Sequence, residues 1–381
     1  MGAHDIGVTG GSGGLTAKTS APTSDPAPAW NRFASWSALD ARLALLAFLA
    51  LLMVSAFVPI GAGPSEVTTK GLVEALNDDG TGPKRPRDDD LALYDIAIER
   101  IQRGEHYYDF IVEEQRAAQY PVTPGIAVRL PTLAYINAWL GKAGQTAAAI
   151  LLLIAVAIAW WRRLGDEPGG KRYRAMGMAL LMMSASLGLT RYFFVLHELW
   201  TGMLLALAFG LHRPGRWRWS VVVAALAVSI RELALPFILL MAAMAFWRRD
   251  GKEGAAWSAL AVAFLALLLG HLYLVAQQVL PTDPSGQGWL YLRGLSGWMS
   301  NVALSSNLRF LPHWIAGPAI ILAMFGWAAW RSSAGLFGLL LYLGYGLTFM
   351  IVAVPTISIG ECWSRRPCSS ALPLCQWDCR R

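Results

Sequence analysis

Charged side chains are few inside the apolar blocks of this sequence, and they come in groups. Arg231 and Glu232 stand side by side in "ALAVSIRELALPFILLM", residues 225–241, and Arg191, His197 and Glu198 share "TRYFFVLHELW", residues 190–200. An arginine at the edge of a bilayer neutralises a phosphate and offers it a fork of N–H donors. Three aspartates, Asp88, Asp89 and Asp90, open the stretch "DDDLALYDIAIERIQRGEHYYD", residues 88–109, which also contains Asp95. A carboxylate there can act as general base toward a hydroxyl that attacks a sugar carbon. Together these residue types suit a lipid phosphate held by arginine and a hydroxyl activated by a carboxylate. One of Asp88, Asp89 and Asp90 is a candidate for the base, while Asp95 with Glu99 and Arg103 also suits a solvated face. Arg191, Arg231, Glu232, His197 and Glu198 are the candidates for the phosphate subsite. Each also has a plainer role: Asp at a helix cap, Arg191 snorkelling to the interface, His197 with Glu198 as an internal pair, Arg231 with Glu232 fixing a turn. A buried pair contributes little net stability, which weighs against the last.

The elements that must position these groups are membrane helices. Of 381 residues, 55% are hydrophobic and 15% charged, and the mean hydropathy is +0.42. Apolar residues fall in blocks near the length of a bilayer-spanning helix, about 17–25 residues. Many of the 17 Trp sit beside Arg at block ends, as in Trp160-Trp161-Arg162-Arg163, Trp247-Arg248-Arg249 and Trp330-Arg331. That is the pattern of interfacial aromatics and cytoplasmic cations. The net charge of +7 is therefore a topology signal, and no basic module for nucleic acid is visible.

Spans are expected at about 41–60 and 145–161 (after a short apolar piece, 131–140), two within 175–212, then 220–247, 256–276, 315–330 and 334–354. The loops at 162–174, 212–218 and 248–252, with Arg331, are basic and should lie on one side, the cytoplasm. Both flanks of 220–247 are basic, so this block must go in and come back. Arg231-Glu232 is then the tip of a hairpin with arms of about 12 residues, each about 18 Å, short of the roughly 30 Å hydrocarbon core. Charge at that depth is tolerated where protein buries it or a water-filled cavity receives it. The segments 61–130, 190–198 and 277–312 fall on the opposite, outer side, the last with Trp289, Tyr291, Arg293, Trp298 and Arg309. In 61–130, Leu91, Tyr94, Ile98 and Ile101 make one helical face and Asp95, Glu99 and Arg103 another. This is the pattern of an amphipathic surface helix.

The order Asp90-x-x-x-Tyr94, Gly104, Tyr107-Tyr108, Tyr120-Pro121-x-x-Pro124 and Arg129-x-Pro131 resembles the integral-membrane glycosyltransferases of the GT-C superfold. The motif likeness covers about 85–135, and the likeness in architecture about 40–355. It implies transfer of a sugar from a polyprenyl-phosphate donor to a glycan, lipid or protein acceptor at the extracytoplasmic face. It also implies a carboxylate of the first outer loop as base, best matched by Asp90 with Asp89 and Asp95 as close competitors, and an inverting reaction whose phosphate leaving group needs no strong acid.

The expected fold is an all-α polytopic membrane bundle of about nine spans, some half-length, with a large first extracytoplasmic loop carrying the amphipathic helix. Residues 1–38 are expected to be a disordered cytoplasmic tail and 39–360 the membrane domain of a multi-pass inner-membrane protein. No cofactor is called for; the acidic triplet leaves a divalent cation open, without a second ligand cluster to support it. The rival functions are a transporter or flippase for a lipid-linked or anionic substrate, with Arg191, Arg231 and Glu232 along its path, and a non-catalytic membrane subunit. All four Cys (Cys362, Cys368, Cys375, Cys379) lie in residues 361–381, a Cys- and Arg-rich tail unlike the rest. It is expected to reflect a frame change, with a disulfide-bearing tail as the alternative.

Overall fold

The computed structural model describes residues 33, 35–60, 89–167, 169–286 and 292–351, with Asp89, Asp90, Ser184, Ser186 and Leu187 as backbone only. The N-terminal tail, Asp88, Trp289, Tyr291 and the Cys-rich tail lie outside the described residues. The described chain is helical: α1 (Ala38–Phe57), α2 (Asp89–Gln102), α3 (Tyr107–Ala117), α4 (Thr132–Asp166), α5 (Gly170–Ala185), α6 (His197–Leu211), α7 (Arg218–Ile230), α8 (Leu235–Trp247), α9 (Gly251–Ala276), α10 (Gly294–Leu304), α11 (His313–Ala329) and α12 (Ser333–Ile351). Among the described residues there is no strand, only an isolated bridge between Thr123 and Ser285.

Four stretches are long and apolar enough to cross a membrane: Ala38–Phe57, Gly125–Asp166, Gly251–Ala276 and Ser333–Ile351. Their outer faces carry exposed large side chains, among them Leu43, Leu46 and Met53 of α1, Leu151 of α4, and Leu267 and Leu269 of α9. Apolar surface of that extent on span-length helices requires lipid or a partner to cover it. Helices α6, α7, α8 and α11 are apolar too, but at 15, 13, 13 and 17 residues they are short of a full span.

The sequence patterns explain the local breaks. The expected piece 131–140 and the span after it form one helix, α4, kinked at Gly141, whose φ of 59° and ψ of 179° are left to glycine. Pro131 precedes α4 and Pro236 stands at the start of α8, where a missing N–H costs nothing. The segment 277–312, expected as a polar loop, contains α10. Its Leu295, Trp298, Met299 and Val302 follow helical spacing, and Trp298, Met299 and Ala303 are buried against Ile320 and Ile321 of α11.

Helices α6 and α7 run antiparallel. Thr201 Oγ1 donates to the Ala227 carbonyl and, further along, Ser220 Oγ to the Ala208 carbonyl at 2.7 Å. After α7, Arg231 is extended (φ −146°, ψ 125°) and Glu232–Ala234 make one 3-10 turn before α8 leads away. Both flanks of this hairpin reach the same end of the bundle, where Arg248 and His212 bind one carboxylate, that of Glu253. The α5–α6 pair also reverses, through 3-10 turns at Ser186–Leu189 and Arg191–Phe193.

Candidate anion site at the hairpin tip

The basic-loop end is a polar lock. Arg163 of α4 donates through Nη1 to the carbonyls of Phe209 and His212 at 2.6 Å each, and its guanidinium lies 4.5 Å from the centre of the Phe209 ring. His212 donates to Glu253 Oε1 at 2.7 Å, Arg248 to the same oxygen at 2.9 Å, and Trp257 at 3.3 Å. Arg213 pairs with Asp166 at 3.0 Å. Trp327, at the end of α11, packs on Phe209, with Trp330 stacked on it. The loops that the charge pattern puts on one side therefore meet at one end.

The opposite end holds the tip. Arg231 is 8% exposed. Its Nη2 lies 3.1 Å from Glu198 Oε1 at the start of α6, and its Nε lies 3.5 Å from Glu232 Oε1. Nη1 and Nε make no hydrogen bond among the described residues. A guanidinium carries five N–H donors, and burying donors unpaired is costly. Glu198 differs from its partner: its side chain is 49% exposed. Arg129, just before α4, lies close enough to feel both Glu198 and Glu232, and donates through Nε to the Tyr94 hydroxyl at 3.2 Å. Two cations and two anions thus share one small region.

Helix α2 forms the neighbouring wall. Its apolar side is packed on protein: Leu91 and Ile98 meet Val195, while Ala97 and Ile101 join Tyr107, Phe110 and Val128. The turn after it closes with Gly104 at φ 90°, a backbone shape glycine adopts at helix ends. The ring of Tyr94 meets that of His197 edge-on, centroids 5.1 Å apart. His197 is 3% exposed. Neither ring nitrogen has a hydrogen bond of ordinary geometry among the described residues, although the Leu130 backbone is close.

The backbone around Arg129 is pinned from two sides. Tyr107 donates its hydroxyl to the Arg129 carbonyl at 2.8 Å. His271 of α9 lies 3.0 Å from the Val128 carbonyl through Nε2 and 3.0 Å from the Tyr108 hydroxyl through Nδ1. A carbonyl only accepts, so Nε2 carries the proton; in the neutral ring Nδ1 then accepts from Tyr108. Further out, Arg116 of α3 donates to both oxygens of Asp283, the Nη2–Oδ2 bond being 3.0 Å. This clasp ties 277–286 to the loop at 119–124, aided by Val122 N–H to the Pro284 carbonyl (3.0 Å) and Gly286 N–H to the Thr123 carbonyl (2.7 Å). The hydrogen bond from Arg116 holds the Asp283 carboxyl below the usual carboxylate range. Burial pushes the Tyr108 hydroxyl up.

Of the site residues expected from sequence, Arg231, Glu232, Glu198 and His197 come together. Arg191 lies exposed on the α5–α6 turn and makes no ion pair with a described residue. Asp95 is half-buried on α2, next to Tyr94. Asp90 stands one turn before Tyr94 in the same helix; the side chains of Asp89 and Asp90 lie outside the described residues. Arg129, Tyr94 and His271 join the site without having been singled out for it. Arg129 is signalled by its place just before the proline at which the chain enters α4. No His, Cys, Asp or Glu cluster suited to a metal occurs among the described residues.

These features define an all-helical bundle with helices of membrane-spanning length and a paired Arg–Glu site at the end away from its basic loops. No family model, curated protein or solved structure matches the chain.

Proposed function

We propose that this chain is an integral-membrane glycosyltransferase of the GT-C type, moving a sugar from a polyprenyl-phosphate donor to an acceptor at the extracytoplasmic face. The observation that carries the proposal is the buried guanidinium of Arg231, with Nη1 and Nε lacking hydrogen-bond partners among the described residues, beside a second cation, Arg129, next to the helix that bears Asp90. In this account the basic-loop end faces the cytoplasm, the N-terminus is cytoplasmic, and the short arms of the hairpin set the tip below the outer surface. Lipid-linked phosphate reaches that depth without leaving the bilayer.

The chemistry follows from the charges. The acceptor oxygen bonds to the anomeric carbon as the bond from that carbon to the phosphate oxygen breaks. Asp90, with Asp89 and Asp95 as its rivals, takes the hydroxyl proton. The phosphate departs with the bonding pair, and Arg231 and Arg129 stabilise the charge it gains. Glu232 keeps Arg231 oriented, while Tyr94, held against the His197 ring, accepts from Arg129 and positions it.

The purified chain in proteoliposomes, given a panel of polyprenyl-phosphate hexoses and pentoses, should release polyprenyl phosphate. Arg231→Gln should lower kcat/KM about 10²-fold, the scale of one or two charge-assisted hydrogen bonds. Wild-type rates in Arg231→Gln would end this proposal. Donor crossing the bilayer uncleaved would favour the transporter.

A further inference from the structure

The anions that hold Arg231 are not equivalent. Glu232 is its chain neighbour, and its side chain is 15% exposed; Glu198 comes from another helix, and its side chain is 49% exposed. Glu198 nevertheless takes the outer nitrogen, Nη2, at 3.1 Å. An arginine engages phosphate through its paired terminal nitrogens. An anion approaching from the open side therefore meets Glu198 where its own oxygen would bind.

The geometry points to Glu198 as a resident competitor for the phosphate subsite, a residue that sets which phosphate state stays bound. This rests on the glycosyltransferase reading above and adds a determinant to it. With Glu198 in place, Arg129 and Arg231 are balanced by Glu198 and Glu232, so the empty site is neutral. A sugar-linked phosphate diester brings one negative charge; it binds when the Glu198 carboxylate swings off Nη2. The charge of Arg129, which the Glu198 carboxylate also feels, attracts it as it leaves. Cleavage leaves a phosphate monoester, whose charge at neutral pH is about −1.5 to −2. Glu198 opposes the monoester more strongly than the diester, because repulsion grows with ligand charge. Its return to Arg231 speeds product release, and the same competition keeps free phosphate out of the site.

Removing the competing charge must therefore tighten binding. A role for Glu198 in merely orienting Arg231 gives the opposite sign. Glu198→Gln keeps the shape, and Glu232 remains to balance Arg231. In nanodiscs, polyprenyl phosphate should bind Glu198→Gln about tenfold more tightly than wild type, the scale of one charge-assisted contact. KM and kcat should fall together, as product release slows. Inorganic phosphate added to lipid-free detergent samples separates the headgroup from the lipid. It should bind Glu198→Gln measurably and wild type far less. Glu198→Ala should give the same sign, and serves if the Gln variant does not fold. Unchanged or weaker binding of polyprenyl phosphate by folded Glu198→Gln, with wild type binding normally, overturns the competitor role alone. Wild-type binding that Arg231→Gln leaves unaltered overturns the subsite itself.

Discussion

Glu253 is where the basic-loop end is most exposed to test. Its side chain is fully buried, and Oε1 receives His212, Arg248 and Trp257 at 2.7, 2.9 and 3.3 Å. Glu253→Gln keeps the shape and one acceptor oxygen but removes the charge. Hydrogen bonds to charged groups contribute about 1.5–3 kcal/mol against about 1 for neutral ones. Losing that difference at two bonds costs about 2 kcal/mol. Glu253→Ala also strands Arg248 and His212, and removing one partner of a buried ion pair costs about 3–5 kcal/mol. At roughly 2–4 °C per kcal/mol for a domain of 150–250 residues, the Ala variant should unfold on the order of 10 °C below wild type. The Gln variant should lie between. The assay is the fraction of detergent-solubilised protein that stays monodisperse after a heat step. Arg248→Ala combined with Glu253→Ala should be non-additive by about 1–3 kcal/mol, as residues sharing one network are. Midpoints for both Glu253 variants within about 1 °C of wild type would refute the lock, and with it the closure of two loops on one carboxylate.

Two further perturbations probe the parts that support the tip. The Asp283 carboxyl is held low by Arg116, so its contribution is complete above the unfolded carboxylate value, about 3.9, and is lost as pH falls through the lower folded value. Hydrogen exchange at the Val122 and Gly286 amides, corrected for intrinsic rate, should be flat from pH 8 to 5 and quicken only below about pH 4. Asp283→Asn should quicken it at every pH, and a change between pH 8 and 5 in the wild type would contradict the clasp. Gly141→Ala meets no neighbouring atom, since an added Cβ has nothing within 4 Å. Its cost is that of the backbone alone, about 1–3 kcal/mol, read as a lower unfolding midpoint. An unchanged midpoint would mean that the kink relaxes freely.

The hairpin was legible because charge reports topology twice over: a block flanked by cations at both ends has to return, and the flanks do meet, at Glu253. Helix α2 was legible because Leu91, Tyr94, Ile98 and Ile101 repeat at helical spacing. Leu91, Ile98 and Ile101 are buried and Tyr94 partly so. Leu93 and Ala97 are buried as well, so the helix packs on protein over a wider face than the spacing marked. The kink was not legible, because Gly141 in "WLGKAG" looks like any tolerated helix glycine until its dihedral angles are known. Helix α10 was hidden because Gly, Ser and Asn dilute its apolar spacing. At the site, Arg231, Glu232 and Glu198 stood out as charges in apolar surroundings. Arg129 sits in a Pro-rich loop where a cation is unremarkable by composition, and only the fold brings it to Tyr94 and the two glutamates. His271, a lone histidine in an apolar helix, gives no sign in sequence that it anchors the segment before Arg129. Arg191 shows the converse, since an Arg at a hairpin tip need not turn inward.

Asp90→Asn offers the most direct test of sugar transfer, because it removes a base while sparing the arginines. Measured in the same proteoliposomes, donor binding and release of polyprenyl phosphate should separate. Binding should stay within about threefold of wild type, while release falls by about 10²–10⁴, the usual contribution of a general base. Full release in Asp90→Asn, and equally in Asp89→Asn and Asp95→Asn, would contradict the account.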